Sequence, residues 1–143
     1  MPSDLQMKAM NAIHRTMLKA TGGKVGWNLK GMPVVELTTT GRKSGEARTV
    51  MLTSPWQEDG TYVVVASRGG DDKAPAWLLN IEASPSVQVS VGGEPATAWT
   101  AEVASSAERD RLWPLLTAKH TNYAGYQRKT DREIPLVLLR PTR

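Results

Sequence analysis

The chain has no cysteine, no phenylalanine and only two histidines among its 143 residues. Without cysteine there are no disulfides, thiolate metal ligands or thiol nucleophiles, and the composition suits a reducing compartment, so a cytoplasmic location is expected. The two histidines, His14 and His120, lie far apart. Neither belongs to an H-x-x-x-H or H-E-x-x-H pair, so no zinc site is legible and no metal is expected. Binders of single-stranded nucleic acid stack bases on exposed aromatic platforms. Tyr62 is the one tyrosine in a strand-like run here, and Trp56 and Trp99 fit edge or core positions equally well, so no nucleic-acid partner is expected. Long apolar runs are also missing. The first twenty residues carry Asp4, Lys8, Arg15 and Lys19, which is incompatible with a signal-peptide apolar block or a spanning segment. There is no G-x-G-x-x-G after a strand, no Gly-Lys pair of a P-loop and no G-x-S-x-G elbow. A Ser67/His120/Asp131 triple can be written down, but nothing in the sequence brings its members together.

What is present reads as one domain, 1–143, with Lys and Arg exceeding Asp and Glu by 18 to 14, a net charge of +4. That balance favours an anionic ligand or surface without choosing between them. Met10, Ile13 and Met17 recur with Leu5 at helical spacing, predicting an N-terminal amphipathic helix within residues 1–22. Its basic residues offer a peripheral membrane contact, against the commoner use of such a helix as a cover for its own core. Val- and Thr-rich runs over 33–40 and 48–56 predict a hairpin about a glycine-bracketed turn. Residues 61–67 predict a strand buried on both faces, 68–73 a polar loop, and Pro75 the start of a short helix through Ile81. Strands follow at 87–91 and 96–103. Ser105 with Glu108 predicts a capping box for a helix through Leu116, which Pro114 should kink or split. A helical turn over 122–129 and a last strand over 134–139, its proline at an edge or strand start, complete the pattern. Antiparallel strands interrupted by helices, without βαβ alternation, predict a mainly β, α+β domain: a small, closed or partly closed barrel capped by short helices.

Three groups of residues could carry chemistry. Gly41-Arg42-Lys43-Ser44-Gly45, with Arg48 just beyond, places cations in a turn whose glycines can aim backbone N–H groups at an anion. The competing reading is an exposed basic turn. Ser67-Arg68-Gly69-Gly70 again sets a cation beside paired glycines, against the reading that Asp71 and Asp72 neutralise a solvated arginine. Tyr123 and Tyr126 share one face of a helical turn, as core packing or as phenolic donors over a small molecule.

Thr38-Thr39-Thr40-Gly41-Arg42-Lys43-Ser44-Gly45, Ala66-Ser67-Arg68-Gly69-Gly70, Pro75-Ala76-Trp77-Leu78-Leu79-Asn80 and Thr130-Asp131-Arg132-Glu133-Ile134-Pro135 resemble, in that order, the deazaflavin-dependent nitroreductase and quinone reductase family of actinobacteria. The resemblance runs from about Pro33 to Pro141. It implies a split β-barrel like that of FMN-binding oxidoreductases, over 33–141, and a reductase using coenzyme F420, a reduced 8-hydroxy-5-deazaflavin with an oligoglutamate tail. By position, Arg42, Lys43, Ser44 and Arg48 look like the holders of its phosphate and tail. Ser67, Arg68, Trp77 and Met51 resemble the residues that line the ring and ribityl chain, and Tyr123 and Tyr126 those over the acceptor. The implied reaction is hydride transfer to an electron-poor small molecule, an enone or unsaturated lactone, a quinone or a nitro compound. Tyr126, then Tyr123 or Ser67, would meet the new anion with a hydrogen bond. Thr53 and His120 stand where the prodrug-reducing member has tyrosines, which points away from nitroimidazoles and toward a roomier pocket, and Arg68 replaces a lysine. The alternatives are an FMN-dependent split-barrel oxidoreductase and a non-enzymatic deazaflavin carrier. Oligomeric state is not legible.

Overall fold

A computed structural model describes Asn28, Leu29 and residues 32–142. The expected N-terminal helix lies outside the described residues. The chain order is β1 (Asn28–Leu29), β2 (Met32–Thr40), β3 (Ala47–Thr53), β4 (Trp56–Glu58), β5 (Thr61–Val65), a 3-10 turn (Arg68–Gly70), α1 (Ala76–Ala83), β6 (Ser86–Val91), β7 (Thr97–Val103), α2 (Ser106–Lys119), α3 (Asn122–Arg128) and β8 (Leu136–Pro141). All strand pairs are antiparallel, in the order β1-β2-β6-β7-β8-β5-β4, with β3 on β2. The sheet curls into a half-barrel of the split-barrel type, with β3 and β4 at its two margins.

Alternation along the strands sorts side chains into two layers. Val35, Leu37, Val64, Val89, Trp99, Val137 and Leu139 face one side, where Trp77, Leu78 and Ile81 of α1 cover them. Val63, Val65, Leu136 and Leu138 face the other, beneath Leu112 and Leu116 of α2 and Tyr123 of α3. Strands β5 and β8 are therefore buried on both faces, which is why they read as unbroken apolar runs. Each fully buried Leu or Val in these layers contributes on the order of 1.5–3 kcal/mol.

Three local expectations need correction. The extended run over 48–56 is broken at buried Ser54, whose Oγ lies 2.7 Å from the Val63 carbonyl and 3.0 Å from that of Trp56. These contacts turn the chain into β4 and onto the second layer. Pro114 does not split α2, which runs unbroken from Ser106 to Lys119 with the proline exposed on its outer side. The capping box is present, with Ser105 Oγ accepting from the Glu108 N–H and the Glu108 carboxylate from the Ser105 N–H. Within the loop 68–73, Arg68 and Gly70 are buried while Asp72 and Lys73 are exposed, so the reading of Arg68 as a solvated charge fails. Pro135 stands just before β8, at the strand start where its missing N–H costs nothing.

Candidate functional site

The β2–β3 turn is closed by Gly41 N–H to the Glu46 carbonyl and Gly45 N–H to the Gly41 carbonyl, both at 2.8 Å, with Ser44 Oγ accepting from the Glu46 N–H at 3.2 Å. A Cβ on Gly41 would stand 2.7 Å from Ser44 Oγ and 3.2 Å from the Glu46 carbonyl, so the turn closes too tightly for a side chain there. Asn80, buried on α1, fastens the turn to the helix. Its Oδ1 accepts from both the backbone N–H and Nη1 of Arg42 at 3.1 Å, while its Nδ2 donates to Thr39 Oγ1 at 3.1 Å. Arg42, Lys43, Ser44 and Arg48 are exposed. Arg48 pairs with Glu46 at 3.3 Å in open solvent, worth under about 1 kcal/mol. Arg42 and Lys43 have no carboxylate partner among the described residues. The donor set is thus cationic, accessible and held in place by a neutral side chain, which fits a polyanion. Sequence reasoning missed Asn80. The available signal was a lone amide on the apolar face of a short helix.

The second group is the corner after β5. Arg68, Gly69 and Gly70 take positive φ values of 47°, 66° and 85°, a left-handed turn closed by Gly70 N–H to the Ser67 carbonyl at 3.0 Å and Asp71 N–H to the Arg68 carbonyl at 3.2 Å. For Arg68, which carries a Cβ, that backbone costs about 1–2 kcal/mol. Its guanidinium is only 8% exposed and donates to Asp71 Oδ2 at 2.9 Å, so the charge is paired and partly desolvated. Ser67 is buried beside it. Arg132 Nε donates to the Asp71 carbonyl at 2.8 Å, and its Nη2 to the carbonyls of Ala66 at 3.2 Å and Ser67 at 2.9 Å. Burial pulls the Arg132 pKa below its ordinary value, partly offset by Asp71 and Asp72.

At Gly70 the corner meets α3, since a Cβ there would stand 2.7 Å from the Tyr126 carbonyl oxygen and 3.0 Å from its Cα. The rings of Tyr126 and Tyr123 meet edge to face, 5.9 Å apart at 84°. Tyr123 is 6% exposed; its hydroxyl lies 3.2 Å from Thr53 Oγ1 and donates to Met32 Sδ at 3.7 Å. Burial pushes its pKa up, against the Thr53 hydrogen bond, so the phenol stays protonated. Tyr126 is half-buried and its hydroxyl has no hydrogen-bond partner among the described residues. The Lys129 ammonium sits 5.7 Å from its ring centre.

Of the remaining candidates, Met51 packs on Val34, on the face of β3 that also carries Thr53. Trp77 is 7% exposed, within the α1-covered layer, one turn before Asn80. His120 caps α2 at its C-terminus with Nε2 buried and without a hydrogen-bond partner among the described residues; burial, then Lys119, lowers its pKa. The structure therefore brings Ser67 and Arg68 together with Tyr126 through Gly70, and Tyr123 together with Thr53. Strand β3 links the rest. Arg48 stands near its start and Thr53 at its end, five residues or roughly 17 Å apart. Among the described residues, no group of three His, Asp or Glu could hold a metal ion. Two surface cavities of about 530 and 340 Å³ lie around Arg111 and Gln88; Gly45 of the β2–β3 turn borders the second, and none of the candidate side chains lines either.

Comparison with known proteins places this arrangement. Residues 10–141 match the model of a family described as F420H(2)-dependent quinone reductase. A protein of that name from Mycobacterium tuberculosis H37Rv is 36% identical over 132 residues, covering 89% of this chain and 87% of its own. A second from the same strain, named as a putative member, is 33% identical over 112 residues, 78% of this chain and 92% of its own. A solved structure titled as an F420-H2 dependent reductase superposes with a TM-score of 0.63 at 41% identity, covering 75% of this chain and 93% of that one. Another, described as a domain-swapped dimer, gives 0.65 at 38%, covering 90% and 96%.

Proposed function

This chain belongs to the F420H(2)-dependent quinone reductase family and is an F420-dependent oxidoreductase, and from that premise we propose that it reduces a quinone or another electron-poor acceptor, such as an enone or unsaturated lactone, along strand β3. The observation that carries this reading is the pair of unlike ends on one margin strand. An exposed cationic turn stands at one end and, at the other, Tyr123 bonded to Thr53 with the Tyr126 ring against it, a span that suits an elongated, polyanionic cofactor.

Arg42, Lys43, Ser44 and Arg48 would hold the phosphate and oligoglutamate tail, with Asn80 fixing the Arg42 fork before the ligand arrives. Ser67, Arg68, Met51 and Trp77 would line the ring end. Bound there, the reduced deazaflavin supplies a hydride, a two-electron donor that needs orientation more than acid catalysis. Tyr126 Oη is the proton donor to the acceptor oxygen as charge develops there, because it is the phenol of the pair without a hydrogen-bond partner among the described residues. Tyr123 has its hydroxyl engaged by Thr53 and serves to seat the Tyr126 ring. With Tyr123 engaged by Thr53 in this way, Tyr126 is the one phenol of the pair left to meet an acceptor, which disfavours nitroimidazoles relative to flat quinones. A lipid-soluble quinone would be met at a membrane, where Lys8, Arg15 and Lys19 each add about 1 kcal/mol of attraction to anionic lipid. Flotation with anionic liposomes checks that point, and a chain cut before residue 21 that floats equally well refutes it.

The test is equilibrium titration with the cofactor, followed by an anaerobic panel of quinones, unsaturated lactones and nitro compounds. Replacing Arg42 and Lys43 together by alanine is expected to weaken binding at least tenfold and flatten its salt dependence. An unchanged titration refutes the tail anchor. Binding without turnover of any acceptor makes the protein a carrier, and tighter binding of FMN makes it a flavin enzyme.

A further inference from the structure

We propose that Arg132 is a positioning residue that fixes the Ser67–Arg68 corner against Tyr126, so that the loop 130–135 is a strap for the ring end of the site and not merely a link into β8. The loop is one of the four blocks by which the chain resembles its family, yet none of its residues has a role in the reading above. Its arginine reaches over the left-handed turn and bonds both limbs. The carbonyls of Ala66 and Ser67 belong to the limb that enters the turn, and that of Asp71 to the limb that leaves it. A planar fork with donors fixed on two edges can span both limbs, whereas the donors of an ammonium radiate from a single nitrogen and do not hold that spacing.

The other end of the strap is fixed to α3. Gln127 Nε2 donates to the Arg132 carbonyl at 2.7 Å and to that of Thr130 at 3.4 Å, while its Oε1 accepts from Ile134 N–H at 2.9 Å. Arg109 on α2 completes the clamp, donating through Nε to the Ile134 carbonyl at 2.9 Å and through Nη2 to Gln127 Oε1 at 3.2 Å. Gln127 follows Tyr126 directly in the chain. The corner carrying Ser67 and Arg68 and the helix carrying Tyr126 are therefore joined through one residue, Arg132, whose guanidinium holds the corner and whose carbonyl is held by α3. Such a connection is required because the turn places a non-glycine residue at positive φ and would relax if its limbs could part. The catalytic meaning of this geometry rests on the function proposed above, whereas the strap itself does not.

The experiment uses Arg132→Lys and Arg132→Gln. In the ligand-free protein, the Gly70 and Asp71 amides, which close the turn, are expected to exchange with solvent at least tenfold faster, while the β5–β8 ladder stays within about twofold. With the cofactor, kcat is expected to fall at least tenfold with Kd changed less than threefold, because the cationic turn is untouched. Lysine, which keeps the charge but not the fork, should not rescue. Uniform acceleration across the sheet, a parallel fall in kcat and affinity, full rescue by lysine, or global unfolding of both variants each overturns the proposal, since the loop would then hold the fold and not the corner. A chain that fails to bind the cofactor but shows the local exchange effect would retain the strap and lose only the proposed reaction.

Discussion

Replacing Gly70 by alanine is the sharpest test of how the corner and α3 fit together. The added Cβ meets the Tyr126 carbonyl oxygen at 2.7 Å, its Cα at 3.0 Å and Lys129 Cβ at 3.1 Å. Two of these are backbone atoms of a helix, which no rotamer change relieves. The substitution also places an L side chain at φ 85°, costing about 1–2 kcal/mol. Forcing the overlap apart adds about 1–3 kcal/mol, the usual range for overpacking. Gly92→Ala separates the two terms, because Gly92 has φ 62° and nothing within 4 Å of an added Cβ. It should lose only the conformational part. Urea denaturation with unchanged m-values should therefore show Gly70→Ala less stable than Gly92→Ala by about 1–3 kcal/mol, or roughly 3–9 °C in Tm. Because the displaced element carries Tyr126, kcat should fall further in Gly70→Ala than in Gly92→Ala at temperatures where both are folded. Equal losses of stability in the two variants would refute the close-approach argument.

Asn80→Leu keeps the volume but strips the acceptor from Arg42 and the donor from Thr39, so about 1–2 kcal/mol of stability should be lost in thermal melts. Cofactor Kd should rise severalfold although no ligand-contacting cation has changed. Tyr126→Phe should lower kcat at least tenfold with Tm unchanged, whereas Tyr123→Phe should cost about 1 kcal/mol of stability through the lost Thr53 contact and spare most of kcat. Reversal of that ranking would exchange the two roles. Glu58 is held at about 2, below its ordinary 4.5, first by the Arg111 hydrogen bonds and then by the Trp56 indole N–H. Its stabilisation is present above pH 4.5 and is lost as pH falls toward 2. Melts of wild type and Glu58→Gln from pH 7 to pH 2 should thus start apart, with the variant less stable, and converge at the acid end.

Much of the fold was legible in the chain because it is written in short-range patterns. The unbroken Val run of β5, the alternation of Val87, Val89 and Val91, the Ser105–Glu108 box and the glycine-bracketed turn each depend on residues within a few positions of one another. The break at Ser54 was hidden because its partner, the Val63 carbonyl, comes from the next strand but one. Pro114 is tolerated for a related reason, since a proline on the outer side of a helix held by Leu112 and Leu116 forfeits one hydrogen bond without losing the packing that keeps the helix whole.

For the candidate site the division is the same. Residue types and spacing alone named the cationic turn, the Ser67–Arg68 corner and the tyrosine pair, because charge, glycine content and helical periodicity are local properties. Only the tertiary structure decided that Asn80 holds Arg42, that Thr53 engages Tyr123 while the Tyr126 hydroxyl has no partner among the described residues, and that Arg132 spans the corner from 61 to 66 residues away. Those relations are hydrogen bonds between groups far apart in the chain. Their donors and acceptors become neighbours only when the sheet has curled and the helices have closed on its two faces.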